Sequence, residues 1–188
     1  MFESPSIILS YQKELIVDGI SPIELRGPWK LMLLGDGSPT RHLRLLTGKE
    51  VRIKLISMST DDLGLYHSPP EVRELSKPLV RRQVWIQCNN QTLAWAESWW
   101  NKDEADQSLT FKNQPIWQSL TSERLELFRE VDGLSLVDAK WLKDEFNKTG
   151  PFWSRHYRFF RNKKAFTVIR EVFSPYLEQW LGKPLIEK

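Results

Sequence analysis

A chain of 188 residues, 40% of them hydrophobic and 12% aromatic, is long enough to bury one sizeable core and too apolar for disorder to be the default. Its net charge of +3 suits an anionic small ligand and argues only weakly for nucleic acid. Its single cysteine, Cys88, cannot form an internal disulfide and points to a reducing compartment.

The N-terminal MFESPSIILSYQKEL holds only a short apolar run, without the basic start and cleavage site of a secretory signal. No apolar run approaches the ~20 residues that cross a bilayer, so a cytoplasmic chain with no membrane partner is expected. PWKLMLLG (28–35) reads as a short helix, with Pro28 in its first turn and Gly35 at its end. SPTRHLRLLTG (38–48) reads as a turn into a second helix, stopped at Gly48. KEVRIKLISMS (49–59) alternates as a strand, and residues 60–78, with Gly64, Pro69, Pro70 and Pro78, read as irregular. A hairpin follows, with arms near 79–88 and 91–100 and the Asn89-Asn90 pair, tolerant of positive φ, at its turn. Residues 101–114 are polar enough for a surface connection, and SERLELFREV (122–131) fits strand or helix equally. Ser135 with Asp138 resembles a capping box, and Val137, Trp141, Leu142, Glu145 and Phe146 continue at helical spacing up to Gly150-Pro151. PFWSRHYRFF (151–160) and AFTVIREVF (165–173) form a second hairpin around RNKK, with a helical turn expected at 176–181. Helices first, then hairpins around one late helix, predict an α+β fold with an antiparallel sheet, as a single domain over residues 1–188.

Conventional catalytic signatures are missing. His42, His67 and His156 share no metal-binding spacing, and the chain has no phosphate-cradling glycine loop and no nucleophile elbow; no metal is expected. Cys88 reads as a small core residue. WSRHYRFFRNKK (153–164) interleaves arginines with aromatics as nucleic-acid surfaces do. A sheet strand with a charged hairpin tip explains it better, so no nucleic-acid partner is expected.

Two residues fit the core pattern badly. Arg82 stands in the stripe Val80, Arg82, Val84, Ile86, Cys88, and Glu171 in the stripe Thr167, Ile169, Glu171, Phe173. A guanidinium keeps its charge, and burying it unpaired costs several kcal/mol. The pattern leaves two readings level: a structural ion pair between the two, or a closed cavity with a fixed cation and a carboxylate.

Three segments then carry a resemblance. GPFWSRHYRFFRNKKAFTVIREVFSP, VRRQVWIQCNNQTLAWA and SPTRHL, with QPIWQSL (114–120) as a fainter fourth, are similar in order and spacing to segments of the chorismate lyase (chorismate pyruvate-lyase) family. The likeness is strongest to its branch from cyanobacteria and algal plastids, and touches most of residues 29–175. It implies an antiparallel sheet with helical flaps, here the 28–48 pair, over a buried ligand site. It also implies elimination of pyruvate from chorismate to give 4-hydroxybenzoate for quinone synthesis, plastoquinone in a photosynthetic source, with no cofactor. By this likeness the ligand-binding arginine falls on Arg82 and the essential glutamate on Glu171, whose apolar setting would favour the protonated, donating form. Further substrate contacts fall on Ile116, Pro39 and Thr40, and residues 134–149 look inserted relative to compact members. The expected partner is chorismate alone, bound by a monomer. The rival reading is a non-catalytic, effector-sensing domain of the same fold. Such domains follow a DNA-binding domain, for which the 27 residues before Pro28 are too few.

Overall fold

The computed structural model describes residues 1–14, 24–60, 65–109, 116 and 128–186. Seven strands, β1 (Ser6–Tyr11), β2 (Val51–Ser59), β3 (Leu79–Cys88), β4 (Gln91–Asn101), β5 (Phe128–Asp138), β6 (Phe152–Arg161) and β7 (Lys164–Phe173), form one sheet in the order β1-β5-β6-β7-β4-β3-β2. Every pairing is antiparallel. The helices are short: α1 (Gly27–Leu34), α2 (Pro39–Thr47), α3 (Lys102–Ser108), α4 (Lys140–Phe146) and α5 (Glu178–Leu181). The expected α+β class is the one observed.

Both faces of the sheet are covered. On the front, α1 and α2 bring Trp29, Met32, Leu33 and Leu43 down onto Val84, Ile86, Ala94, Leu134 and Phe173. On the back, Leu142 and Phe146 of α4 pack on Trp85, Trp95, Phe152 and Val172, while the 3₁₀ turn Pro70–Glu74 and its neighbours cover Leu79, Trp99 and Val168. Alternating residues of β3 therefore face two interiors.

Several expectations need correction. Ser135 and Asp138 cap no helix: β5 runs on to Asp138, pairing with β1 on one side and β6 on the other. Helix α4 begins after it, with Ala139 at the N-cap and no side-chain cap, and Asp138 instead lies 2.6 Å from Lys143 Nζ. The segment that looked inserted thus supplies half of an internal strand as well as α4. The N-terminal apolar run forms edge strand β1, which the sequence reading left unassigned. The expected 101–114 connection contains α3, which buries Ala105. Of 122–131, residues 128–131 are strand, and 122–127 lie outside the described residues.

The arginines of 153–164 are spent on internal pairs. Arg155 Nε is 2.7 Å from Glu171 Oε2, Arg158 Nη2 is 2.6 Å from Asp132, and Arg161 Nη1 is 2.7 Å from Glu104. Arg158 also donates to Glu74 at 2.7 Å. Its pKa is held above the ordinary guanidinium value chiefly by the Asp132 hydrogen bond.

The back face carries a charge cluster that period-two alternation leaves on the solvent side. Glu97 is fully buried; Arg81 donates to its Oε1, and Arg170 Nη2 donates to Oε2 at 2.5 Å. Gln83 Nε2 at 3.0 Å and Ser4 Oγ at 3.0 Å complete the shell. Phe2 joins through two backbone hydrogen bonds with Gln83 at 2.9 Å, and its ring stacks on Trp141 at 4.5 Å. The cluster pins the chain's start to β3, β4 and β7. Removing one member of a buried ionic group strands the rest, so Glu97→Ala should lower unfolding stability by about 3–5 kcal/mol. A urea midpoint corresponding to less than 1 kcal/mol of loss would show that the cluster does not hold the sheet.

Candidate functional site

The site follows from strand register. Cross-strand partners share a face, so the front of the sheet has one row running Val84–Ala96–Glu171–Arg155–Leu134 and a second running Arg82–Ser98–Ile169–Tyr157–Val131. Ala96, the smallest side chain of the first row, leaves a hollow beside Glu171. Arg82, Ala96, Ile169, Glu171, Tyr157 and Phe159 form its floor, Ile53 and Arg129 stand on flanking strands, and Ser38, Pro39 and Thr40 at the start of α2 form its roof.

All five residues singled out from the sequence, Arg82, Glu171, Ile116, Pro39 and Thr40, border this one cavity. The rest of QPIWQSL lies outside the described residues. Arg82 is 2% exposed, and its burial pulls the guanidinium down to about 10, which still leaves it cationic at neutral pH.

Glu171 is differently placed from the expected apolar setting. Arg155 Nε donates to its Oε2 at 2.7 Å and Tyr157 Oη donates to its Oε1 at 2.8 Å. Both carboxyl oxygens are thus engaged as acceptors, one by a guanidinium and one by a phenol. Its ion-pair partner is Arg155, the residue directly opposite on β6, and not the Arg82 of the structural-pair reading. Burial, and after it the nearby Glu171 charge, raises the Tyr157 phenol above its ordinary value, so it stays a donor.

Sequence reasoning missed Arg155, Tyr157 and Arg129. Arg155 Nη1 also donates to the carbonyls of Met32 at 2.9 Å and Gly35 at 3.0 Å. It thereby caps the C-terminus of α1, where a cation matches the helix dipole. Arg129 lies with its guanidinium carbon 4.5 Å from the Tyr157 ring centroid and 4.6 Å from that of Phe159, and Nη1 donates 2.7 Å to Gly37 O in the α1–α2 loop. The loop also holds His42 close: a Cβ at Gly37 would lie 2.0 Å from His42 Nε2, so a larger residue there must displace the imidazole. Burial first, then the charges of Arg155 and Arg129, lowers the His42 pKa, a sign of positive field around the roof. No group of three or more metal-ligating side chains exists among the described residues, and no helix there is long and apolar enough to cross a membrane.

The arrangement is a roofed, mainly apolar cavity with guanidiniums and one oriented carboxylate, a design for gripping a small organic anion. Solved structures share the fold. The effector domain of PhnF from Mycobacterium smegmatis superposes with a TM-score of 0.53 at 10% identity, covering 74% of this chain and 90% of that one. A second PhnF structure gives 0.52 at 14%, covering 87% and 77%; these likenesses show the fold alone. In sequence, the uncharacterized protein ycf21 of Cyanophora paradoxa is 33% identical over 168 residues, 89% of this chain and 87% of that protein. Ycf21 of Porphyra purpurea is 34% identical over 154 residues, covering 81% and 83%. The family described as chorismate pyruvate-lyase Rv2949c-like matches residues 33–181, and with that extent of match the chain belongs to it.

Proposed function

We propose that this protein eliminates pyruvate from chorismate and releases 4-hydroxybenzoate, an aromatic precursor for quinone synthesis such as that of plastoquinone. The observation that carries the reading is the convergence of Arg82 and Glu171 on one roofed cavity in a chain of this family. In the reaction the ring carbon–oxygen bond to the enolpyruvyl group breaks, and the neighbouring hydroxyl-bearing ring carbon loses its proton. The ring becomes aromatic, and the released enolate takes up a proton at its methylene carbon to become pyruvate.

Arg82 holds the ring carboxylate by charge-assisted hydrogen bonds in a site with little water. Glu171, fixed by Arg155 and Tyr157, accepts a hydrogen bond from the ring hydroxyl and stands as the base for the adjacent proton. Pro39, Thr40 and Ile116 confine the ring so that the departing group is held in its reactive conformer. The guanidiniums stabilise negative charge as it builds on the leaving enolate. The α1–α2 pair serves as the lid.

The test mixes purified protein with chorismate, adds no metal, and follows 4-hydroxybenzoate and pyruvate. Equimolar appearance of both supports the lyase reading. The second reading, a non-catalytic domain binding a small aromatic acid, is favoured by the likeness to an effector domain. It predicts saturable binding of 4-hydroxybenzoate with no product from chorismate.

Two variants assign the residues. Arg82→Ala should weaken chorismate and 4-hydroxybenzoate together by at least about 100-fold, the scale of a lost charge-assisted contact in a buried site; calorimetry showing unimpaired affinity would remove Arg82 from binding. Glu171→Gln keeps the shape and loses the base, so kcat should fall by about 100-fold or more with KM within a few fold. A fully active variant would place the proton transfer elsewhere.

A further inference from the structure

We propose that Arg129 reads the second carboxylate of the substrate, the one that departs with pyruvate, and so supplies a contact that the monocarboxylate product lacks. The inference rests on the lyase reading for the identity of the two acids.

Arg129 reaches the cavity from the wall opposite Arg82. Arg82 is on β3 and Arg129 on β5, with β4, β7 and β6 between them, roughly 19 Å along the sheet at about 4.8 Å per strand. Both nevertheless border the same cavity, with Glu171 on the central strand β7. A ligand held at both ends across Glu171 presents one anionic group to each arginine. Chorismate is such a molecule: a ring carboxylate at one end, an enolpyruvyl carboxylate at the other, and the bond to be broken between.

The chemistry of Arg129 is that of a positioned anion receptor. No ion pair joins it to a carboxylate among the described residues, although it is half-buried. The one carboxylate on the described cavity wall, Glu171, is matched by Arg155. Arg129 Nε is buried and has no hydrogen-bond partner among the described residues, so it has a donor to spare for an anion. Its guanidinium plane is fixed over the Tyr157 and Phe159 rings, which leaves the N–H edge for a carboxylate. Because Nη1 also holds Gly37 O, an anion at Arg129 is gripped next to the roof loop.

Once pyruvate has left, 4-hydroxybenzoate keeps the ring carboxylate alone. It engages Arg82 and leaves Arg129 without its anion. Substrate and product are thereby told apart by one residue.

The test compares Arg129→Gln with wild type, measuring kcat/KM for chorismate and calorimetric Kd for 4-hydroxybenzoate, with Arg129→Lys as the charge-retaining control. The expected result is a loss of at least about tenfold in kcat/KM for chorismate. The 4-hydroxybenzoate Kd should stay within about twofold, and Arg129→Lys should recover part of the loss. Unchanged product binding also shows that the variant is folded. Equal weakening of both acids, or of neither, overturns the assignment. A wild type that binds chorismate without converting it, with binding lost only in Arg129→Gln, supports Arg129 and overturns the lyase reading; a wild type that binds neither acid overturns both.

Discussion

Which buried charges of this sheet meet one another is decided by two β-bulges. Counting back from the Asn89-Asn90 turn along a regular ladder places Arg82 opposite Glu97, which would neutralise both. The register shifts between Ile86 and Gln87, with Leu93 as the extra residue, so Arg82 faces Ser98 and Glu97 faces Gln83. Counting back from Asn162-Lys163 places Arg155 opposite Arg170, two cations face to face. The shift between Phe159 and Phe160, with Phe166 as the extra residue, sets Arg155 opposite Glu171 instead. A one-residue slip moves a side chain to the other face. The bulges therefore sort one set of charges onto the back, around Glu97, and another onto the front, around Glu171.

That sorting couples the two faces. Gln83, Glu97 and Arg170 adjoin Arg82, Ala96 and Glu171 in sequence, and they lie in one cross-strand row. The back-face cluster thus locks β3, β4 and β7 in the alignment that the front-face cavity requires. A buried ion cluster contributes little net stability against well-packed apolar residues, but breaking it is costly. Its use here is register. Ala96 gains its meaning from the same lock, because a small residue opens a cavity only while its row stays between Val84 and Glu171.

The sequence made the strands legible because their alternation survives burial, and it made Arg82 and Glu171 legible because a charge interrupts an apolar stripe. Glu97 in TLAWAESWW interrupts such a stripe too, and could have been found by the same sign. Arg81 and Gln83 were harder to see, since polar residues opposite an apolar stripe look like a solvent face until something is known to cover it. The Arg155–Glu171 pair was hidden by the Phe166 bulge, which spacing alone does not reveal. The false capping box at Ser135 and Asp138 arose from local chemistry that fits a helix start. The ladders to β1 and β6 outweigh it, because tertiary pairing satisfies a whole strand's backbone where a cap satisfies one or two groups.

Roof and floor of the cavity share their arginines. Arg155 holds Glu171 with Nε and the last carbonyls of α1 with Nη1, and Arg129 spans the Tyr157 and Phe159 rings and Gly37 O. Each guanidinium engages the α1–α2 pair as well as the cavity floor, Arg155 through separate nitrogens and Arg129 through one nitrogen and its flat face, which the planar, multi-donor fork allows and a lysine would not. Moving the α1–α2 pair must therefore disturb the groups that orient Glu171 and receive anions, and an anion seated among them favours the lid in place. For the elimination proposed above, which would leave charge on a departing enolate, this coupling matters, because the same pair that roofs the cavity also completes its electrostatic surround.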